Sequence, residues 1–127
     1  MKQLLVDANV VLRFLLGDST TLSPKAKDIF QKAEDGAHEI YLDEVIVAET
    51  VWVLQSFYKL NRKDIAGKLL TLLGQDWIIN PRKPLMLSAL TAYEHGPLHY
   101  IDCWILAVSH RLEIPLATFD HKLKKSA

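Results

Sequence analysis

Four carboxylates in the sequence are placed where they could act on one substrate: Asp7, Glu49, Asp102 and Asp120. Two carboxylates about 4 Å apart repel each other by roughly 4 kcal/mol at an effective dielectric constant near 20. Four converging acids therefore need a cation, and Mg²⁺ or Mn²⁺, hard ions that prefer oxygen ligands, would remove the repulsion. Such an ion also lowers the pKa of a bound water and stabilises charge that builds on a phosphodiester. The four acids thus indicate hydrolysis of a phosphate ester.

Two of these acids, Asp7 and Asp120, each follow a predicted strand. Asp7 comes directly after the strand predicted over residues 3–6, and Asp120 comes two residues after the one predicted over 114–118. Ligand sites of open α/β sheets form beyond the carboxyl ends of the strands, so neighbouring strands would point both carboxylates into one crevice. The alternative for either residue is a helix N-cap, because aspartate before a helix accepts a backbone hydrogen bond.

Glu49 lies in a stretch of almost entirely apolar residues that runs from Val45 to Leu54. A helix that is apolar nearly all round should be largely buried, and a carboxylate on it then needs a partner. The alternative is that Glu49 lies on a narrow polar stripe together with Gln55 and Ser56.

Asp102 is the only charged residue between Tyr100 and Val108. Burying an unpaired carboxylate is unfavourable, so proteins pair it, protonate it or bind it to a metal. A metal site would satisfy Asp102, and the alternative is a buried salt bridge to Arg13.

Strand-like and helix-like segments alternate along the chain, which predicts an α/β fold with a mainly parallel sheet. Helix limits follow from capping residues, such as Gly17 after the first helix and Ser23-Pro24 at the start of the second. The predicted strands cover residues 3–6, 39–42, 77–80 and 114–118. The predicted helices cover residues 8–16, 24–35, 85–95 and 99–112, and a basic tail follows Asp120. A further helix starts at Asp43 or Glu44 and runs to about Tyr58, and another starts at Asn61 or Asp64 and ends at Gly74.

Length and composition restrict the class of protein. With 127 residues, 50% hydrophobic and 24% charged, the chain is expected to form one domain over residues 1–127 with a real core. A net charge of zero argues against a histone-like binder of nucleic acid, although an acidic site could offset basic residues elsewhere. The single cysteine, together with the lack of a signal peptide or a long apolar run, predicts a cytoplasmic protein.

Each of the four acids also lies within a short motif. The motifs are Val6-Asp7-Ala8-Asn9-Val10-Val11-Leu12-Arg13, Ala48-Glu49-Thr50-Val51-Trp52-Val53-Leu54, Tyr100-Ile101-Asp102-Cys103-Trp104-Ile105-Leu106-Ala107 and Ala117-Thr118-Phe119-Asp120. In their order and approximate spacing, these motifs resemble the PIN-domain ribonucleases of the VapC toxin type. The resemblance spans nearly the whole chain, and it is the combination of motifs that is specific.

The resemblance implies a PIN-like three-layer sandwich, in which helices flank a mainly parallel central sheet. It implies that the four acids are the catalytic residues and bind Mg²⁺ or Mn²⁺ for RNA cleavage. Asn9 and Thr118 match positions that hydrogen-bond around the acids, and their alternatives are a helix-start residue and a strand residue. The resemblance further implies a homodimer, the toxin of a type II toxin–antitoxin pair, which a VapB-like antitoxin neutralises by inserting a helix and an arginine near the acids.

At two positions where many relatives carry acids, this chain has His99 and Lys122. These differences predict metal binding that is weaker or that depends on bound RNA. Arg13, Lys122 and Lys124 are candidates for contact with RNA, since cations that neutralise phosphates strengthen binding. Arg62-Lys63 is interpreted as solvated surface.

Three other functions are compatible with these residues. A PIN nuclease of RNA processing, or one that acts on DNA, would use the same four acids. A catalytically inert module that holds RNA or a protein is disfavoured, because all four acids are present. A phosphate-accepting signalling domain would need a lysine after a late strand, and Lys122 is the one candidate.

Overall fold

The computed structural model describes residues 2–127. Within this range the strands are β1 (Gln3–Leu5), β2 (Glu39–Tyr41) and β3 (Ile78–Ile79). The helices are α1 (Ala8–Leu16), α2 (Leu22–Glu34), α3 (Glu44–Ser56), α4 (Arg62–Leu73), α5 (Lys83–His95), α6 (Tyr100–Leu112) and α7 (His121–Ser126). Pairs of helices separate the strands, as the alternating sequence pattern predicts.

The three strands form one parallel sheet in the order β1-β2-β3. Leu4 lies opposite Ile40, and Ile40 lies opposite Ile78, so apolar residues line up across the middle of the sheet. Parallel neighbours need a crossover connection, and here each connection consists of two helices. The predicted α/β fold, with a parallel sheet flanked by helices, is confirmed.

Capping residues set where the helices begin and end. Asp7, two residues after the end of β1, caps α1, and α1 ends at Gly17, whose φ of 61° and ψ of 26° are left-handed. Asp43 caps α3 and Asn61 caps α4, each with a side-chain oxygen 2.8 Å from a backbone nitrogen. These three helices begin and end close to the predicted limits.

The predicted start of α2 at Ser23-Pro24 is wrong. The helix begins at Leu22, and Ser23 lies inside its first turn. The Ser23 hydroxyl donates to the carbonyl of Arg13 at 2.8 Å and accepts from the N–H of Ser19 at 3.1 Å. The serine therefore ties the end of α1 to the start of α2 instead of capping its own helix.

The hydrophobic core lies between the sheet and the helices, and Ile40 at the centre of the sheet is fully buried. Phe14 of α1 stacks on Phe30 of α2 with ring centroids 4.2 Å apart. α6 differs from the other long helices, because only Tyr100 and Cys103 of its 13 residues are buried. No helix within residues 2–127 combines the length and the apolar character that a membrane span requires.

The predicted strand over residues 114–118 does not form. The N–H of Ile114 donates to the carbonyl of Ser109 at 3.0 Å, and the Ser109 hydroxyl donates to the carbonyl of Ile114. Ile114 therefore serves as part of the C-terminal cap of α6, and Pro115 has no N–H to offer a neighbouring strand. The predicted basic tail forms a short helix, α7.

Candidate active site

Asp102 and Asp120 line one cleft of about 400 Å³. Asp102 lies in the first turn of α6, and Asp120 lies directly before α7. The cleft is lined by Pro97, Leu98, His99, Asp102, Asp120, His121 and Lys122. Two carboxylates thus share an open cleft with a lysine and two histidines.

Asp102 is half-buried and makes no hydrogen bond or ion pair with the described part of the chain, residues 2–127. The alternative salt bridge to Arg13 is wrong, because Arg13 pairs with Asp18 at 3.2 Å. Tyr58 donates a further hydrogen bond to Asp18 at 3.2 Å and holds that carboxylate in place. The Asp102 carboxylate is therefore free to bind a ligand in the cleft.

Asp120 caps α7, as its alternative interpretation predicts. Its Oδ1 accepts from the N–H of Leu123 at 3.0 Å. Its own N–H donates to the hydroxyl of Thr118 at 3.0 Å, so Thr118 fixes the backbone that carries the acid. The N-cap uses one carboxylate oxygen, and the other oxygen of Asp120 can face a ligand.

Asp7 also caps its helix, with Oδ1 accepting from the N–H of Val10 at 3.0 Å. It lines a second cavity, of about 550 Å³, whose walls are largely apolar. Asp43 lines this cavity too. The sequence pattern predicts Asp43 only as a possible helix start. In the structure Asp43 lies two residues after β2, as Asp7 lies two residues after β1. That matching position is the signal that could have marked it as a neighbour of Asp7.

Glu49 is exposed on α3 and lines neither of these two cavities. Asn9 is exposed on α1. Considering only residues 2–127, no three acidic, histidine or cysteine side chains are close enough together to hold a metal ion. The four predicted acids therefore do not fit one metal site, since among them only Asp102 and Asp120 share a cleft.

The three basic residues predicted to contact RNA differ in their surroundings. Lys122 lines the cleft of Asp102 and Asp120. Lys124 lines a separate cavity together with residues 116–119, and Arg13 is held by its ion pair. Lys122 is therefore the best placed of the three for contact with a ligand in the cleft.

Arg62 is not a solvated surface residue, and that prediction is wrong. Its guanidinium donates to the carbonyls of Tyr93, Leu98 and Pro97 at 3.0, 2.6 and 3.1 Å. Its central carbon lies 4.5 Å from the centroid of the Tyr93 ring. These carbonyls belong to the end of α5 and the turn before α6, so Arg62 fixes the turn from which α6 presents Asp102.

Glu44 is a further carboxylate at the carboxyl edge of the sheet. It accepts from the Asn80 amide at 3.0 Å and pairs with Arg82, and Asn80 also donates to the carbonyl of Leu42 at 2.9 Å. Burial raises the pKa of Glu44, but hydrogen bonds from Asn80, from its own backbone and from Arg82 outweigh burial and hold the pKa below its ordinary value. Glu44 therefore connects the ends of β2 and β3 and is not free for a ligand.

The stability of the protein should depend on the ionisation of Glu44. Because its pKa is lower in the folded chain, its contribution is present above the unfolded value, roughly 4.3, and is lost as the pH falls through the folded value. We expect Glu44→Gln to lower the Tm at neutral pH and the gap from wild type to close at acid pH. Thermal unfolding from about pH 7 to about pH 3 measures this, with Glu39→Gln as the control. A gap that is constant with pH would contradict the assignment.

Comparison with known proteins gives the family. The sequence model of the PIN domain family matches residues 4–127. The chain is similar to a VapC ribonuclease of Aquifex aeolicus (strain VF5), with 24% identity over 122 residues, which are 95% of this chain and 90% of that protein. No solved structure shows a significant match. Because the family match covers nearly the whole chain, the resemblance in the sequence motifs is confirmed, and the chain belongs to the PIN domain family.

Proposed function

We propose that the chain is an endoribonuclease that hydrolyses RNA phosphodiester bonds, as the toxin of a VapBC-type toxin–antitoxin pair. The observation that carries the proposal is the cleft in which Asp102 and Asp120 lie beside Lys122, in a chain of the PIN domain family. The similarity to a VapC ribonuclease supports RNA as the substrate.

The side chains of the cleft can take different roles in phosphodiester hydrolysis. The Asp102 carboxylate has no partner within residues 2–127, so it can orient a water molecule and accept its proton. The Lys122 ammonium can offset negative charge on the phosphate, which favours binding and stabilises the transition state. Asp120 is proposed as the second catalytic acid of the cleft, and Thr118 as the residue that orients it. Asp7 and Glu49 as catalytic acids, and Asn9 as an orienting residue, lie outside the cleft and stay predictions.

We also propose that cleavage requires Mg²⁺ or Mn²⁺. The membership of the PIN domain family supports the requirement. When bound, such an ion would acidify a water molecule and stabilise charge on the phosphate. Asp7 and Glu49 lie outside the cleft and do not fit such a metal site. The catalytic roles given above are therefore assigned to side chains without a metal ion.

The proposed partners are a second copy of the chain and a VapB-like antitoxin, in the cytoplasm. Exposed apolar side chains support a protein interface: Val45, Trp52 and Phe57, on or directly after α3, are 69%, 66% and 74% exposed. The similarity to a VapC ribonuclease supports the assignment of the antitoxin.

Removing divalent metal should abolish the activity. Purified protein incubated with total RNA is expected to cleave it in Mn²⁺ or Mg²⁺, to stop on addition of EDTA, and to recover when excess Mn²⁺ is restored. The restoration step serves as the control, because it shows that EDTA has not damaged the protein or the RNA. Cleavage that persists in EDTA would contradict the metal requirement, and RNA that stays intact with every metal would contradict the proposed function.

A further inference from the structure

We propose that the part of the cleft formed by residues 97–99 binds an unpaired nucleobase of the RNA, and that the base stacks on the imidazole ring of His99. The inference deepens the proposed function and rests on it, because it names the part of the substrate that the cleft holds. It makes His99 a specificity-determining residue, whereas Asp102 and Lys122 act on the phosphate that is attacked.

The first observation is that the cleft is lined by two kinds of side chain. Residues 97–99 supply a proline ring, a leucine and an imidazole, and none of them is a carboxylate or a lysine. The carboxylates and the lysine come from α6 and from the N-terminal end of α7. A nucleotide is divided in the same way, because its base has apolar ring faces and its phosphate carries the charge. The cleft therefore matches both parts of a nucleotide.

The second observation is that the His99 side chain is available to a ligand. His99 is exposed at the N-cap of α6, and its side chain makes no capping hydrogen bond. No ion pair within residues 2–127 involves it either. Proteins that recognise single-stranded RNA stack its unpaired bases on aromatic side chains, and histidine is one of them. The free ring of His99, in a cleft with two acids, can therefore receive a base.

The third observation is that the backbone of this part of the cleft is held in place. Arg62 donates hydrogen bonds to the carbonyls of Leu98 at 2.6 Å and Pro97 at 3.1 Å. The same guanidinium lies 4.5 Å from the centroid of the Tyr93 ring, and Tyr93 is fully buried. A surface that is already ordered loses little conformational freedom when a ligand binds. Residues 97–99 thus form a preorganised surface for the base.

The spacing of His99 and Asp102 suits a single nucleotide. The two residues are three positions apart, at the N-cap and in the first turn of α6. Side chains at this spacing lie on one face of a helix, with Cβ atoms about 5–6 Å apart. A base and its own phosphate are separated by a comparable distance. A base on His99 therefore leaves its phosphate within reach of Asp102, where Lys122 of the same cleft can neutralise it.

The charge of the cleft also favours this role for His99. The chain has His99 at a position where many relatives carry an acid. A carboxylate there would add a third negative charge to the cleft of Asp102 and Asp120 and would repel the RNA backbone. It would also lack a ring on which a base can stack. The histidine removes the repulsion and supplies the ring.

Binding of a short adenine-rich RNA strand to the whole protein tests the proposal, measured by fluorescence anisotropy in EDTA with a gel to show that the RNA stays intact. His99→Ala should weaken binding by about tenfold, and His99→Phe should bind about as tightly as wild type, because the ring is kept. His99→Asp should bind no better than His99→Ala, although aspartate is a good N-cap and should leave α6 folded. The control is His110→Ala, an exposed histidine of α6 outside the cleft, which should bind like wild type.

An RNA strand of the same length that lacks its bases shows whether His99 contacts the base or the phosphate. Wild type and His99→Ala should bind this abasic strand equally, because only backbone contacts remain. A loss in His99→Ala that is equal for the abasic and the complete strand would overturn the proposal. The same conclusion would follow if His99→Lys bound like wild type and His99→Phe did not, since His99 would then act as a phosphate contact.

Binding and cleavage separate this inference from the proposed function. Equal binding of the complete strand by wild type and His99→Ala, or no binding of RNA at all, would overturn the role of His99. RNA cleavage in Mn²⁺ is recorded for the same proteins. Binding that depends on His99 without any cleavage would reject the proposed function alone, and cleavage with binding that is insensitive to His99 would reject the base contact alone.

Discussion

Replacing Asp102 by asparagine is expected to reduce RNA cleavage by about a hundredfold or more, with little change in Tm. Asp102 lines the cleft and has no hydrogen bond or ion pair within residues 2–127. An amide of the same shape therefore removes the charge and the basic oxygen while leaving the packing of α6 intact. Cleavage rates measured with protein in excess over RNA test this, and thermal unfolding confirms that the variant is folded.

Asp28→Asn is the matched control for this result. Asp28 is an exposed carboxylate on α2, paired with Lys32 at 3.0 Å, and it lines neither of the two cavities that hold the candidate acids. Exposed pairs of this kind contribute little to stability. Asp28→Asn should cleave at the wild-type rate, so equal rates for Asp102→Asn and Asp28→Asn would contradict the role of Asp102.

Replacing Arg62 by alanine is expected to lower the free energy of unfolding by about 3 kcal/mol. Three carbonyls accept hydrogen bonds from this guanidinium at 2.6 to 3.1 Å, and its stacking on Tyr93 adds packing. Alanine would leave these acceptors without a charged donor. For a chain of this size the loss corresponds to a fall in Tm of roughly 10 °C, which scanning calorimetry measures.

Lys63→Ala serves as the control for Arg62→Ala, because Lys63 is the exposed neighbour in the same helix turn. Its Tm should stay close to wild type. Arg62→Lys should recover only part of the loss, since one ammonium cannot span three carbonyls as a guanidinium does. A Tm for Arg62→Ala that matches the one for Lys63→Ala would show that the three hydrogen bonds add nothing to stability.

Elements governed by local interactions were predictable from the sequence. β1 and α1 could be placed because Asp7 and Gly17 mark the ends of α1 through short-range capping. β2 was found because its buried Ile40 lies in a short apolar run. The parallel α/β arrangement follows from the order of such segments alone.

Features that depend on distant residues were not predictable in the same way. Arg62 finds its acceptors 31 to 36 residues along the chain, and no local pattern marks such a contact. Residues 114–118 have the composition of a strand, but a strand also needs a neighbouring strand to pair with. In the structure Ile114 instead forms part of the C-terminal cap of α6.

In the candidate site, too, features set by local sequence were predictable and features set by distant contacts were not. Asp102 stood out because it is the only charge in an apolar stretch, and it lies in a cleft as expected for a functional acid. Asp7 and Asp120 satisfy the N-cap alternative, and an N-cap leaves the second carboxylate oxygen available. Local sequence therefore identifies each acid, while the sharing of a cleft depends on contacts between distant parts of the chain.

The most direct test of the central claim is one RNA cleavage assay that compares three proteins with and without Mn²⁺. Wild type, Asp102→Asn and Asp28→Asn are incubated with the same total RNA at equal protein concentration. The proposed function predicts cleavage by wild type and Asp28→Asn in Mn²⁺, and intact RNA in every other reaction. Cleavage by Asp102→Asn in Mn²⁺ at the wild-type rate would contradict a ribonuclease that works through this carboxylate.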